Sequence, residues 1–310
     1  MLSLPAFKAV RERFPAAKIT AMIGKSGAEI IGFCGFVDEK IVVDRVKLRD
    51  GKKSESISEI LKITKDVRRR KFDFVIDLHS LYETNLLGFV SGAKRRLYAN
   101  RENRSLDFLG NFTPKPPRED KNFHLTDHYL SALKPLGIEN APRFVKLAAR
   151  KEDAEKIEHL FAASKEKKLV GFFPGAGNIS RRWHLEKFAE LARKIAADET
   201  LQPMVFLGPE EANLREEIEE KFSLNAKIID KLSLLEFIAA LSKISVLVSN
   251  DTGAIHLGAM VGTPIVLVMD ERAPKTYLPL TEKISIVNNS TIDRIEIEAV
   301  WKAVREIIEE

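Results

Sequence analysis

Val246-Leu-Val-Ser-Asn-Asp251-Thr-Gly-Ala-Ile-His256-Leu-Gly-Ala-Met-Val-Gly-Thr-Pro264 reads as strand, tight turn, helix, strand. β-prone residues lead from Val246 into Asn250-Asp251-Thr252-Gly253, where a helix has to start. The first turn of a helix leaves backbone N–H groups unpaired and carries partial positive charge, so it can hold a phosphate. Asp251 suits the N-cap. His256 follows five residues later, just over one turn, and can point toward the same end. A plain structural crossover needs a cap and a glycine there, but no histidine. The segment therefore predicts a parallel strand–helix–strand unit with an anion site at its turn.

A second stretch, Phe172-Phe-Pro174-Gly175-Ala176-Gly177-Asn178-Ile-Ser180-Arg181-Arg182-Trp183, ends a strand in a glycine-rich turn and places a basic pair before a helix. Gly175 and Gly177 would let backbone amides approach a diphosphate closely. Arg181 or Arg182 would neutralise it; the alternative is a strand-to-helix loop with surface arginines. Trp183 fits a core position. The stretch is not a dinucleotide fingerprint, because no G-x-G-x-x-G opens a first βαβ unit. It is not a Walker A loop, since no Gly-Lys-Ser/Thr follows the glycines. The chain also lacks Cys/His metal spacing and a G-x-S-x-G nucleophile elbow.

Two further turns stay open between roles. In Gly208-Pro209-Glu210-Glu211 a carboxylate can accept from ribose hydroxyls or simply favour a helix N-terminus. In Asp77-Leu-His79-Ser80, His79 can touch an acceptor or cap the next helix.

Apolar runs alternate with helical patterns along the whole chain. Strands are predicted at 18–23, 40–44, 74–78, 94–97, 169–173, 204–207, 227–229, 246–249 and 264–268. Helices are predicted at 5–13, 54–70, 83–90, 124–136 (closed by Gly137), 183–197, 209–222, 234–243 and 296–308. Such alternation gives parallel sheets covered by helices. The length and a boundary inside 138–167 predict two domains, 1–150 and 151–310, with a cleft at the carboxyl ends of their strands.

Composition narrows the classes. The chain is 45% apolar and 31% charged, and no apolar run reaches the ~20 residues needed to span a bilayer. Its one cysteine, Cys34, permits no internal disulfide and fits a reducing, cytoplasmic location. Residues 1–150 hold 29 Lys/Arg against 18 Asp/Glu, while residues 151–310 hold 21 against 27. A basic first half facing an anionic partner is one reading of this asymmetry, and dispersed solvated charge is the other. Nucleic acid is set aside as partner, because the basic runs lack interleaved aromatics and a reader motif.

Together these residues resemble glycosyltransferase family 9, the bacterial ADP-heptose:lipopolysaccharide heptosyltransferases, over nearly the whole chain. Asn250–Pro264 is similar to the family's Asp-Thr-Gly signature with a following His. Phe173-Pro-Gly-Ala-Gly with Arg181-Arg182-Trp183 is similar to its second motif, and His124-Leu-Thr-Asp-His-Tyr-Leu to its end-of-domain helix. The resemblance implies an α/β chain of GT-B fold: two Rossmann-like doubly wound domains facing a cleft, the second holding the donor. It implies sugar transfer from a nucleotide diphosphate, with inversion, without metal or cofactor. Gly175, Ala176, Gly177, Asn178, Arg181, Asp251, Thr252, Gly253 and His256 would grip the diphosphate and sugar. Arg181 stands where the family usually has Lys. Glu211 would bind the ribose and Leu232 line the adenine pocket. On the acceptor side stand His79 and Glu83, the latter where relatives tend to carry Lys.

One departure concerns the start. The family opens with a strand and a Gly-Asp turn, whose Asp is its proposed general base, just before a segment similar to Leu2–Phe7. The resemblance therefore implies a start codon upstream of Met1 and a first domain lacking its N-terminal strand. No catalytic residue is assigned. The implied acceptor is an anionic lipopolysaccharide-core glycolipid, reached through peripheral contact with the cytoplasmic face of the inner membrane. The rival is a nucleotide-sugar-binding protein that has lost catalysis.

Overall fold

The alternating pattern resolves, in the computed structural model, into strands that pair only in parallel among the described residues. Described are all residues except Lys165, Asn178, Pro209, Glu210, Ala212, Asn213 and Glu310, and all side chains of these except Ser26, Arg49 and Ala163. The chain divides into two units, Met1–Val145 and Lys146–Glu310.

In the first unit, β1 (Thr20–Gly24) pairs with β2 (Glu39–Val43), and β3 (Phe74–Asp77) pairs with β4 (Arg95–Tyr98). Among the described residues these two pairs share no ladder. The local core gathers Ala6 and Ala9 of helix Leu4–Arg13 with Leu97 of β4 and Leu133 and Leu136 of the last helical segment. That predicted helix over 124–136 breaks. It runs only Leu125–Ser131 and resumes as a 3-10 turn at Lys134–Leu136. Pro135 explains the break: it lacks an N–H, and its ring clashes with the carbonyl four residues back. Two helices escaped the pattern, Lys25–Cys34, which carries Gly27 and Gly32, and the short Arg45–Asp50.

The second unit holds β5 (Lys168–Phe173), β6 (Leu201–Phe206), β7 (Lys227–Ile229), β8 (Val246–Asn250), β9 (Ile265–Asp270) and β10 (Ile284–Asn289). Their order across the sheet is β10-β9-β8-β5-β6-β7. β8 is buried along its whole length, as strands covered on both faces must be. Side chains alternate between two cores. Val266 and Val268 of β9 face a cluster with Phe172, Phe188, Ile195, Phe222 and Val300, whereas Ile265, Leu267 and Met269 face Ile255 and Ala259 of helix Gly253–Val261. β10 was missed from sequence, and as the sheet's edge it is half exposed and lacks a long apolar run. Of the helix expected over 209–222, Arg215–Phe222 is regular, and positions 209, 210, 212 and 213 lie outside the described residues.

Candidate functional site

Sheet order decides where the two glycine-rich turns meet. From β5 the chain moves outward to β6 and β7, then returns to lay β8 against the other side of β5 and continues to β9 and β10. Connections leave β5 and β8 in opposite directions, and that switch point is where open parallel sheets bind ligands, beyond the carboxyl ends of the strands. Both turns singled out from sequence follow these two strands: 174–183 after β5 and 251–253 after β8.

Asn250, fully buried at the last position of β8, ties the turns together. Its Nδ2 donates to the Pro174 carbonyl at 2.7 Å, and its Oδ1 accepts from the Trp183 N–H at 3.0 Å. The sequence reading assigned Asn250 no role. The signal was available: a polar amide ending an apolar strand has to find partners when buried. Trp183 is core, as expected; its indole N–H donates to the Ile295 carbonyl at 3.0 Å, and its ring meets Phe188 edge-on at 4.9 Å.

The helix start differs from expectation by one residue. Thr252, not Asp251, is the N-cap; its backbone is extended (φ −141°, ψ 176°) and its Oγ1 accepts from the Ala254 N–H at 3.2 Å. Asp251 is thereby left to reach across to the other turn, where its Oδ2 meets Arg181 Nη1 at 3.2 Å. Arg181 is 48% exposed and Asp251 20%, so the cation remains open to an arriving anion. The two arginines separate cleanly: Arg182 Nε donates to the Ala176 carbonyl at 2.8 Å and holds the turn. Gly253 is exposed at the helix start, and His256 is half-buried one turn in.

Gly175 carries a different burden from the one expected. A Cβ there would lie 2.0 Å from Glu211 Oε1, and one on Gly208 would lie 2.6 Å from Oε2. Glu211 is 3% exposed and accepts from the Gly208 N–H at 3.0 Å. The missing side chain at 175 thus makes room for a buried carboxylate brought over from the end of β6. Ala176 is buried, Gly177 exposed, and Leu232 half-buried on the turn after β7. Asn178 lies outside the described residues.

The first unit has its own polar corner at the end of β3. Asp77 accepts from the N–H groups of His79 (3.0 Å) and Ser80 (2.8 Å) and from Asn85 Nδ2 (2.8 Å). This carboxylate is committed to shaping the turn. His79 does not cap helix Tyr82–Val90; Thr84 Oγ1 accepts from the Leu81 N–H instead. The His79 carbonyl accepts from Arg101 Nη1 at 2.9 Å, while its Nε2 is buried without a hydrogen-bond partner among the described residues. Burial first, then Arg45, lowers the His79 pKa, so the ring is held neutral. Glu83 is exposed on the first turn of the following helix. Among the described residues no three His, Cys, Asp or Glu side chains cluster as a metal site.

The sequence profile of glycosyltransferase family 9 (heptosyltransferase) matches residues 60–300. The chain belongs to glycosyltransferase family 9. Similar to this family member is the lipopolysaccharide core heptosyltransferase OpsX of Haemophilus influenzae, 20% identical over 90% of this chain and 78% of the relative. Among solved structures, a family 9 glycosyl transferase from Veillonella parvula covers 99% of this chain and 93% of its own at 22% identity and a TM-score of 0.82. An Escherichia coli heptosyltransferase solved with ADP-2-deoxy-2-fluoro heptose covers 98% and 94% at 18% identity and a TM-score of 0.74. These likenesses give the family 9 chain the GT-B fold.

Proposed function

We propose that the chain is an inverting, metal-independent glycosyltransferase that takes a nucleotide-diphosphate sugar, ADP-heptose in particular, and transfers its sugar to an anionic lipopolysaccharide-core glycolipid. One observation carries the donor half of this reading: the order of the candidate groups along the sheet. The two candidate phosphate turns follow the adjacent strands β8 and β5, a buried carboxylate follows β6, and an apolar side chain follows β7. Sugar diphosphate, ribose and base follow one another in the same order in a nucleotide sugar. Strands lie about 4.8 Å apart, so four of them span roughly 14 Å, about the reach of such a molecule.

Leaving-group charge then develops beside fixed dipoles. The N–H groups opening helix Gly253–Val261 and the Arg181 guanidinium stabilise the departing diphosphate without reorganising. A carboxylate would take the proton of the acceptor hydroxyl as it attacks the anomeric carbon. Asp77 is unsuited to that task, because its oxygens already accept three hydrogen bonds. His79 and Glu83 are the acceptor-side candidates, and the contact with acceptor is placed at a membrane surface.

A thermal-shift screen against ADP, GDP, UDP and their sugars tests the donor. ADP compounds should raise the melting temperature most, by an amount that grows with ligand concentration. Sugar transfer by the chain should survive EDTA. A response to none of the nucleotides sinks the reading, and binding without transfer or donor hydrolysis favours the rival of a nucleotide-sugar-binding protein.

A further inference from the structure

Exposed apolar side chains are concentrated on one unit. Among the described residues, fifteen large hydrophobics are exposed, and eleven of them lie in Met1–Val145. On helix Lys53–Arg69, Ile57, Ile60 and Leu61 are 57%, 53% and 64% exposed. On helix Tyr82–Val90, Tyr82, Leu86 and Phe89 are exposed at the i, i+4, i+7 spacing of a single face. The two helices pack beside each other, and the turn Asp107–Leu109 beside the second adds Phe108, 69% exposed. A run of aliphatic and aromatic groups on neighbouring elements is the kind of patch that marks an interaction surface.

The carboxylates of helix Lys53–Arg69 are confined to one side of its axis, with Lys62 and Arg69 nearer to them than to Ile57. Within about 80° of Ile57 the ionisable side chains are Lys53, Lys65 and Arg68, all exposed. Glu55, Glu59 and Asp66 fall about 160–180° away. Asp66 is moreover paired with Arg69 at 2.7 Å and Arg70 at 2.8 Å. On this helix cations thus stand among the apolar groups and carboxylates fall on the far side, whereas on helix Tyr82–Val90 the exposed Glu83 stands about 60° from Leu86. Such a surface suits an anionic lipid interface, where aliphatic groups enter the acyl boundary and Lys/Arg meet the headgroups. It suits a second copy of itself poorly, because two-fold pairing would set like charges face to face.

We propose that this cation-rimmed apolar face of the first unit docks peripherally on an anionic bilayer, with Ile57, Leu61 and Leu86 entering the headgroup boundary. Among the described residues no helix is long and apolar enough to cross a membrane, so the contact is a surface one. The proposal deepens the membrane contact stated above and rests on that reading of a glycolipid acceptor.

Co-sedimentation of the full chain with vesicles tests it, comparing phosphatidylcholine alone with phosphatidylcholine containing phosphatidylglycerol. Binding should require the anionic lipid and weaken with salt. Lys53→Glu with Lys65→Glu and Arg68→Glu should weaken partitioning about tenfold or more. Leu61→Ser with Leu86→Ser should weaken it comparably while leaving melting temperature and the ADP-induced shift unchanged. Leu61→Trp should show a blue-shifted emission component only with anionic vesicles. Absence of binding to anionic vesicles, equal binding by all variants, or a dimer that Leu61→Ser with Leu86→Ser dissolves would each overturn the proposal. The ADP response would persist in those cases. Vesicle binding retained without any ADP response would strike the donor reading and leave this surface standing.

Discussion

At the residue scale, the site is built by giving each polar group one task. Asn250 fastens, Arg182 braces and Thr252 caps, while Arg181 and Asp251 pair with each other and are the residues proposed to meet the donor. Arg181→Ala should therefore weaken ADP and ADP-sugar alike, about tenfold or more, since a hydrogen bond to a charged group contributes about 1.5–3 kcal/mol. Asp251→Ala should weaken ADP-sugar binding relative to ADP, because it removes a sugar-hydroxyl acceptor, while the freed Arg181 favours the diphosphate of both ligands equally. Calorimetry showing both affinities unchanged would remove these residues from the donor site. Two histidines, His128 buried and His79 half-buried, set a pH response. Desolvation is the first cause lowering the pKa of both His79 and His128 from the ordinary 6.5. Below that value the unfolded chain takes up protons that the folded chain refuses, so stability is complete above it and falls as acid approaches the lowered values. Melting temperature should thus decline as pH drops below about 6.5. Substituting both positions with Gln should flatten that slope. An unchanged slope would show that other groups govern it.

At the element scale, the turn after β5 and the turn after β8 form one structure because a single side chain crosses between them. Asn250→Ala would strip partners from the Pro174 carbonyl and the Trp183 N–H in a buried setting. The expected loss is about 2–4 kcal/mol of stability, read from the urea midpoint, with weaker ADP binding alongside. A midpoint within error of wild type would mean the turns hold without the tie. Much of this level was legible beforehand. The strands inside the larger sheet, such as β8 and β9, declared themselves as unbroken apolar runs, and β7 was placed to the residue. Helices with interior glycine or proline were not, as at Lys25–Cys34 and around Pro135, because local propensity opposed what packing imposed.

At the scale of the whole molecule, the two units differ in how their sheets are completed. Lys146–Glu310 carries six strands on one sheet, whereas Met1–Val145 carries two separate pairs among the described residues. A two-stranded ladder is marginal without help from packing, while a sheet buried on both faces opens only with the unit. Hydrogen exchange should therefore be slowest in β5, β8 and β9 and faster in β1–β4. ADP should slow exchange further in the second unit, by about 2.7 kcal/mol at a hundredfold excess over Kd. Uniform protection across both units would contradict this picture. Cys34 adds little chemistry here, since burial pushes its thiol up to about 11 and keeps it protonated.

By itself the sequence determined the alternation of strands and helices, and it singled out two turns as candidates to hold phosphate, because those properties are written in local periodicity and turn chemistry. It could not say that the turns would meet. That depended on β8 returning to lie beside β5, a pairing between residues far apart in the chain. Nor could it foresee that the space at Gly175 belongs to Glu211, or that Thr252 rather than Asp251 caps the helix. Those outcomes were decided where packing forced distant polar groups to share a small number of partners.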